Sequence, residues 1–160
     1  MKVASGGVAP VPEMLREGVV VGLGTDSPIS NNTMDVFGDM KVAALLHKAT
    51  RWDARAMPAQ TVLDLATIGA ARALHADRDI GSIEVGKRAD LVVVSLRGPH
   101  TTPFYPENVI SHLVYSSRGS DVQATIVDGQ VLMEDRVVRT VDEAEVVAMA
   151  QETARELFEA

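Results

Sequence analysis

The stretch GVVVGLGTDSPISNN, Gly18 to Asn32, decides how the rest of the chain is read. Val19, Val20, Val21 and Leu23 show no polar alternation, as expected of a strand covered on both faces in a parallel sheet flanked by helices. The run ends on Thr25 and Asp26, and a polar loop containing Pro28 follows. In parallel α/β architectures chemistry sits at the C-terminal ends of the strands. The reading predicts a buried strand over Val19 to Gly24 that brings Asp26 to a reaction face. Without further context, a Thr-Asp pair after a strand is more often a turn or a helix cap.

Upstream, the opening MKVASGGVAPVPEMLREG gives a loop rich in Gly and Pro, then a short helix from about Pro12 to Glu17 that Gly18 terminates. Downstream, Met34, Phe37, Met40, Ala44 and Leu45 recur at helical spacing and predict one buried stripe, entered from Asn31, Asn32 or Thr33 as cap. Asn31 and Asn32 either cap this helix or shape a substrate loop. Met34, Met40 and Met57 read as core fillers. MPAQTVLDLATIGAARALH predicts two helices meeting near Thr67, which would cap the second, with small residues allowing close packing.

From GSIEVGKRADLVVVSL onward the pattern turns to strands, with a small sheet expected from roughly Ile83 to Val138. Leu91 to Val94 reads as one strand, and Ala124 to Val127 and Gln130 to Met133 flank Asp128-Gly129, a type I′ hairpin signal. Arg136 to Val138 adds a short strand. A final helix from about Asp142 to Phe158 would bury Val147, Ala150, Ala154, Leu157 and Phe158. Gly22-Leu23-Gly24 lacks the third glycine and the following helix of a dinucleotide loop.

The chain has 160 residues, 46% hydrophobic, which suffices for a core. A formal charge of -7 without a basic run argues against nucleic-acid and anionic-membrane partners and leaves a small molecule. Without cysteine there is no disulfide framework and no thiolate nucleophile or ligand. The apolar runs fall far short of the ~20 residues needed to span a bilayer. A soluble cytoplasmic protein is expected.

The blocks KVASGGVAPVPEMLREGVVVGLGTDSPISNN, DMKVAALLHK, LDLATIGAARALH, GSIEVGKRADLVVVSL and SHLVYSSRGSDVQATIVDGQ, in this order, resemble the amidohydrolase superfamily. Within it they look most like 5-methylthioadenosine/S-adenosylhomocysteine deaminases and the related triazine chlorohydrolases. The resemblance covers nearly the whole chain but only the C-terminal part of such an enzyme. It implies α/β architecture: a fragment of a metal-dependent (β/α)8 barrel plus part of a small composite β-sandwich. On this reading residues 1–80 hold the last barrel strand or strands with flanking helices, 81–140 the sandwich segment, and 141–160 a C-terminal helix. It further implies that Asp26, in GTDS, matches the aspartate closing the eighth barrel strand, a ligand of a divalent Zn or Fe ion that also assists proton transfer. The pattern departs at Ser27 and Pro28, because the family usually has glycine after this aspartate.

The other ligands that the resemblance requires, a His-x-His pair and further histidines, together with a glutamate for proton transfer, find no match. His47, His75, His100 and His112 are scattered and form no such pair, and each reads as structural or solvent-facing. A catalytic zinc takes about three protein ligands. Two functions follow as expectations. The chain is the C-terminal part of an aminohydrolase acting on a purine-type heterocycle and silent by itself, or it is a non-catalytic module that binds a partner or self-associates as a homo-oligomer.

Overall fold

The computed structural model describes residues 7–159, so Lys2 to Gly6 of the opening block lie outside the described residues. Helix α1 (Val11–Arg16) starts on prolines, whose fixed φ suits a first turn. It ends as expected at Gly18, which adopts φ 75°, while the amides of Gly18 and Val19 close onto the carbonyls of Leu15 and Met14 at 3.1 and 2.9 Å.

The segment expected as a strand, Val19 to Gly24, joins no ladder among the described residues and is extended but unpaired within this chain. Val21 and Leu23 pack on the hydrophobic core, whereas Val19 and Val20 are 45% and 57% exposed. A strand exists only through its neighbours, and none of the described residues supplies one here. The segment is held instead against helices. The Leu23 amide donates to the Leu65 carbonyl at 2.8 Å, and a Cβ on Gly22 would meet the Ala70 Cα at 2.8 Å. Gly22 therefore permits the close approach.

A single turn, α2 (Pro28–Asn31), precedes the long helix α3 (Val36–Arg51). The α3 cap is Asp35, not Asn31, Asn32 or Thr33, because α2 occupies that stretch and Asn32 leaves it in the left-handed region at φ 66°. The Asp35 carboxylate accepts from the Phe37 and Gly38 amides at 3.0 and 3.4 Å, and from the Gly119 amide at 3.2 Å. Helices α4 (Ala59–Ala66) and α5 (Ile68–Ala73) meet at Thr67 as expected. Thr67 does not cap α5, since its hydroxyl donates backwards to the Leu63 carbonyl at 2.8 Å.

Met40 and Ala44 of α3, Met57 of the loop that follows it, Val62 and Leu65 of α4, and Val114 of α6 (Val109–Tyr115) form the core, with α1 packed against it. Two members of the expected stripe fall outside it: Met34 precedes α3 and is 66% exposed, and Leu45 is 47% exposed. Lys48 satisfies the loop carbonyls of Ala56 and Met57 at 2.5 and 2.7 Å, with its ammonium over the Tyr115 ring.

The sheet is four-stranded and antiparallel, in the order β1 (Leu91–Val94), β2 (Val122–Val127), β3 (Gln130–Glu134), β4 (Val137–Val138). Asp128 and Gly129 both take positive φ, 50° and 78°, as a type I′ hairpin demands. No residue of this sheet is fully buried. The last helix, α7 (Glu143–Glu159), corrects another expectation. Its apolar stripe is uncovered, with Val147 68%, Leu157 73% and Phe158 90% exposed, because an amphipathic pattern fixes a face but not the surface that receives it. The molecule is thus a mixed α/β fold. No helix of the described residues is long and apolar enough to cross a membrane.

Candidate functional site

Asp26 closes the Val19 to Gly24 segment in a left-handed conformation, φ 59°, which is uncommon outside glycine but tolerated by Asp and Asn. This reverses the chain and folds the side chain over the loop that follows. Asp26 Oδ1 accepts from the Ser27 amide at 2.7 Å, and Oδ2 from the Ser30 hydroxyl at 2.6 Å. The Ser30 bond first, then the Ser27 amide, holds the carboxyl below the usual aspartate range. The result is an exposed, anionic carboxylate with fixed orientation and free lone pairs, able to take a proton or a cation.

The segment and loop are tied to α3. Asn31 Nδ2 donates to the Thr25 carbonyl at 2.8 Å and to the Asp39 carboxylate at 3.0 and 3.2 Å. The Thr25 hydroxyl donates to the Asp26 carbonyl at 3.1 Å and lies 3.5 Å from the Met34 sulfur. Ser30 and Asp39 were not singled out from sequence. Their only signal is polar residues placed one helical turn past Asp26 and in the first turn of α3.

The histidines do not converge on Asp26. His47 is buried on α3, with Nδ1 3.0 Å from Arg51 Nη1; burial, then the Arg51 cation, keeps its imidazole below the usual histidine range. His100 pairs with Asp121 at 2.9 Å, and His112 meets the Pro103 carbonyl at 3.0 Å. His75 follows α5 at φ 56°. Among the described residues no group of three or more His, Asp or Glu is placed to hold a metal ion. Asp26 by itself is one ligand and does not make a site for such an ion.

An apolar groove of about 260 Å³ runs beside the segment, lined by Val8, Val21, Leu23, Val42, Leu46 and His47. An ion pair between Arg51 and Glu13 latches α3 to α1. Arg51, with Arg16 adding, holds the Glu13 carboxyl down at about 2, below its ordinary 4.5. A depressed folded-state value means that this stabilisation is present above pH 4.5 and is lost as pH falls toward 2. Thermal melts of the parent chain and Glu13→Gln should therefore differ at pH 7 and converge near pH 2. A pH-independent offset would show that the latch contributes through packing alone.

The sequence profile of the amidohydrolase family matches residues 2–132. A 5-methylthioadenosine/S-adenosylhomocysteine deaminase of Syntrophobacter fumaroxidans is 51% identical over 155 residues, covering 97% of this chain and 35% of that protein. A 5'-deoxyadenosine deaminase of Methanosarcina mazei is 49% identical over 157 residues, covering 98% and 35%. Among solved structures, a zinc-bound adenosine deaminase from Xanthomonas campestris superposes with a TM-score of 0.91 at 38% identity, covering 96% of this chain and 35% of that one. The zinc complex of an atrazine chlorohydrolase from Arthrobacter aurescens gives 0.82 at 29% identity, with coverage of 92% and 32%. The chain thus spans about a third of the length of the relatives it matches.

Proposed function

Because the chain belongs to the amidohydrolase family, we propose that it is the C-terminal part of a metal-dependent aminohydrolase that deaminates a purine-type heterocycle, with Asp26 as its contribution to the active site. On this reading Val19 to Gly24 is the last strand of a (β/α)8 barrel, and its backbone edges, which join no ladder among the described residues, are where neighbouring barrel strands would pair. The sheet β1 to β4 is its share of the composite sandwich. The observation that carries the reading is Asp26 itself: an exposed carboxylate, kept anionic by Ser30 and Ser27, at the end of an apolar segment whose inner side rests on helices.

In the assembled enzyme Asp26 would supply one oxygen ligand for Zn or Fe, and its carboxylate would serve as base for the proton lost by the attacking water. The remaining ligands would come from a part of such an enzyme beyond the segment matched here. The names of those relatives favour an adenosine-type substrate carrying a modified 5′ group. The chain alone is silent, since one carboxylate makes no site. The test is a graft in which this chain replaces the matching segment of a full-length relative. Ammonia release from 5′-deoxyadenosine or methylthioadenosine is the expected result. A graft that folds and binds metal but releases none would refute the reading.

A further inference from the structure

We propose that Asn31 and Asp39 form a positioning clamp that sets the height and orientation of Asp26, a role that rests on the functional reading given above. The argument begins with donors and acceptors. Asn31 Nδ2 faces two acceptors, the Thr25 carbonyl at 2.8 Å and the Asp39 carboxylate at 3.0 Å. Neither can donate when Asp39 is ionised, so only the amide nitrogen can stand there, and both of its hydrogens are used. Asn31 and Asp39 are both half-buried, which strengthens these bonds and makes their loss costly.

The clamp has a rigid end. Asp39 precedes Met40, which is buried in the core with Ala44 one turn further along α3. From there the path runs through Asn31 to the carbonyl of Thr25, the residue immediately before Asp26. On the other side Ser30, the neighbour of Asn31, donates to Asp26 Oδ2 at 2.6 Å. The Ser30 and Asn31 amides in turn close onto the Ser27 carbonyl at 3.1 and 2.9 Å. Asp26 is therefore bracketed by groups that all refer back to Asn31. Capping of α3 does not explain the arrangement, because Asp35 already does that. The Asn31 side chain is directed to the carbonyl before Asp26 instead, and Asp39 accepts from the same amide nitrogen.

The test uses charge logic that simple loop packing would not follow. Asn31→Asp places a carboxylate against the Thr25 carbonyl and the Asp39 carboxylate, so every facing group accepts. Adding Asp39→Asn restores a donor between positions 31 and 39. In the isolated chain, Asn31→Asp should shift the NMR resonances of the Thr25 carbonyl and the Ser27 amide, with core amides at Val62 and Val114 unmoved, and Asn31→Asp with Asp39→Asn should partly reverse the shift. In the graft, Asn31→Asp should lower kcat about 10- to 100-fold with little change in KM, again with partial rescue. Unmoved Thr25 and Ser27 resonances would overturn the clamp, as would full kcat in the Asn31→Asp graft. A parent graft that folds and binds metal but is inactive would instead refute the aminohydrolase reading, and the resonances would still decide the clamp.

Discussion

In a full-length enzyme carrying this segment, Asp26→Asn is expected to cut deamination by about 10²- to 10⁴-fold, the range attributed to a positioned acid or base. The substitution keeps the size and left-handed tolerance of the side chain, so the turn at φ 59° can survive it. What it removes is the negative charge and one of the two oxygens. With an amide there, one of the donors that now meet the carboxylate, the Ser27 amide or the Ser30 hydroxyl, faces an NH2 group. Metal content of the purified variant should fall as well, because an anionic oxygen ligand becomes neutral. Ser30→Ala is the control, since it deletes one hydrogen bond and leaves the carboxylate in place, and a milder loss is expected. Turnover near the parent rate in Asp26→Asn, with metal retained, would remove Asp26 from the chemistry.

What was legible in the sequence was whatever short-range stereochemistry forces. Asp128-Gly129 could be read because a two-residue hairpin needs positive φ at both positions, and both adopt it. The junction at Thr67 was readable because Gly69 weakens the middle of the run, although the threonine turns its hydroxyl to Leu63 instead of capping. What failed depended on partners. Val19 to Gly24 is composed for burial on two faces, yet among the described residues only its Val21 and Leu23 pack on the core, and Val19 and Val20 stay exposed. The stripe of α7 likewise meets no receiving surface.

The candidate site divides in the same way. Asp26 was legible through its place at the end of an apolar run and through the ordered blocks around it. The Asn31 and Asp39 contact was not, because residues joined across a loop leave no periodic trace. By sequence alone Asn31 is either a cap or a loop residue. The true cap, Asp35, was missed because Pro28 starts a turn of its own and moves the entry of α3 further along.

The isolated chain should retain no stoichiometric Zn or Fe after dialysis and release no ammonia from adenosine-type substrates. Structural zinc sites draw about 10–16 kcal/mol of apparent binding from several deprotonated ligands held together. Asp26 offers one carboxylate, and three of the four histidines are committed elsewhere. His47 is 5% exposed, and its Nδ1 stands against the Arg51 cation, which opposes a second cation nearby. His100 is held by Asp121, and His112 by the Pro103 carbonyl. Bringing two of them to Asp26 would require breaking these contacts and, for His47, opening the core around Met40 and Ala44. Elemental analysis of chelator-treated protein, run beside an ammonia assay with added Zn2+ or Fe2+, checks both halves of the expectation. One retained equivalent of metal, or ammonia in proportion to protein, would mean that the chain assembles a site from histidines placed here in structural roles.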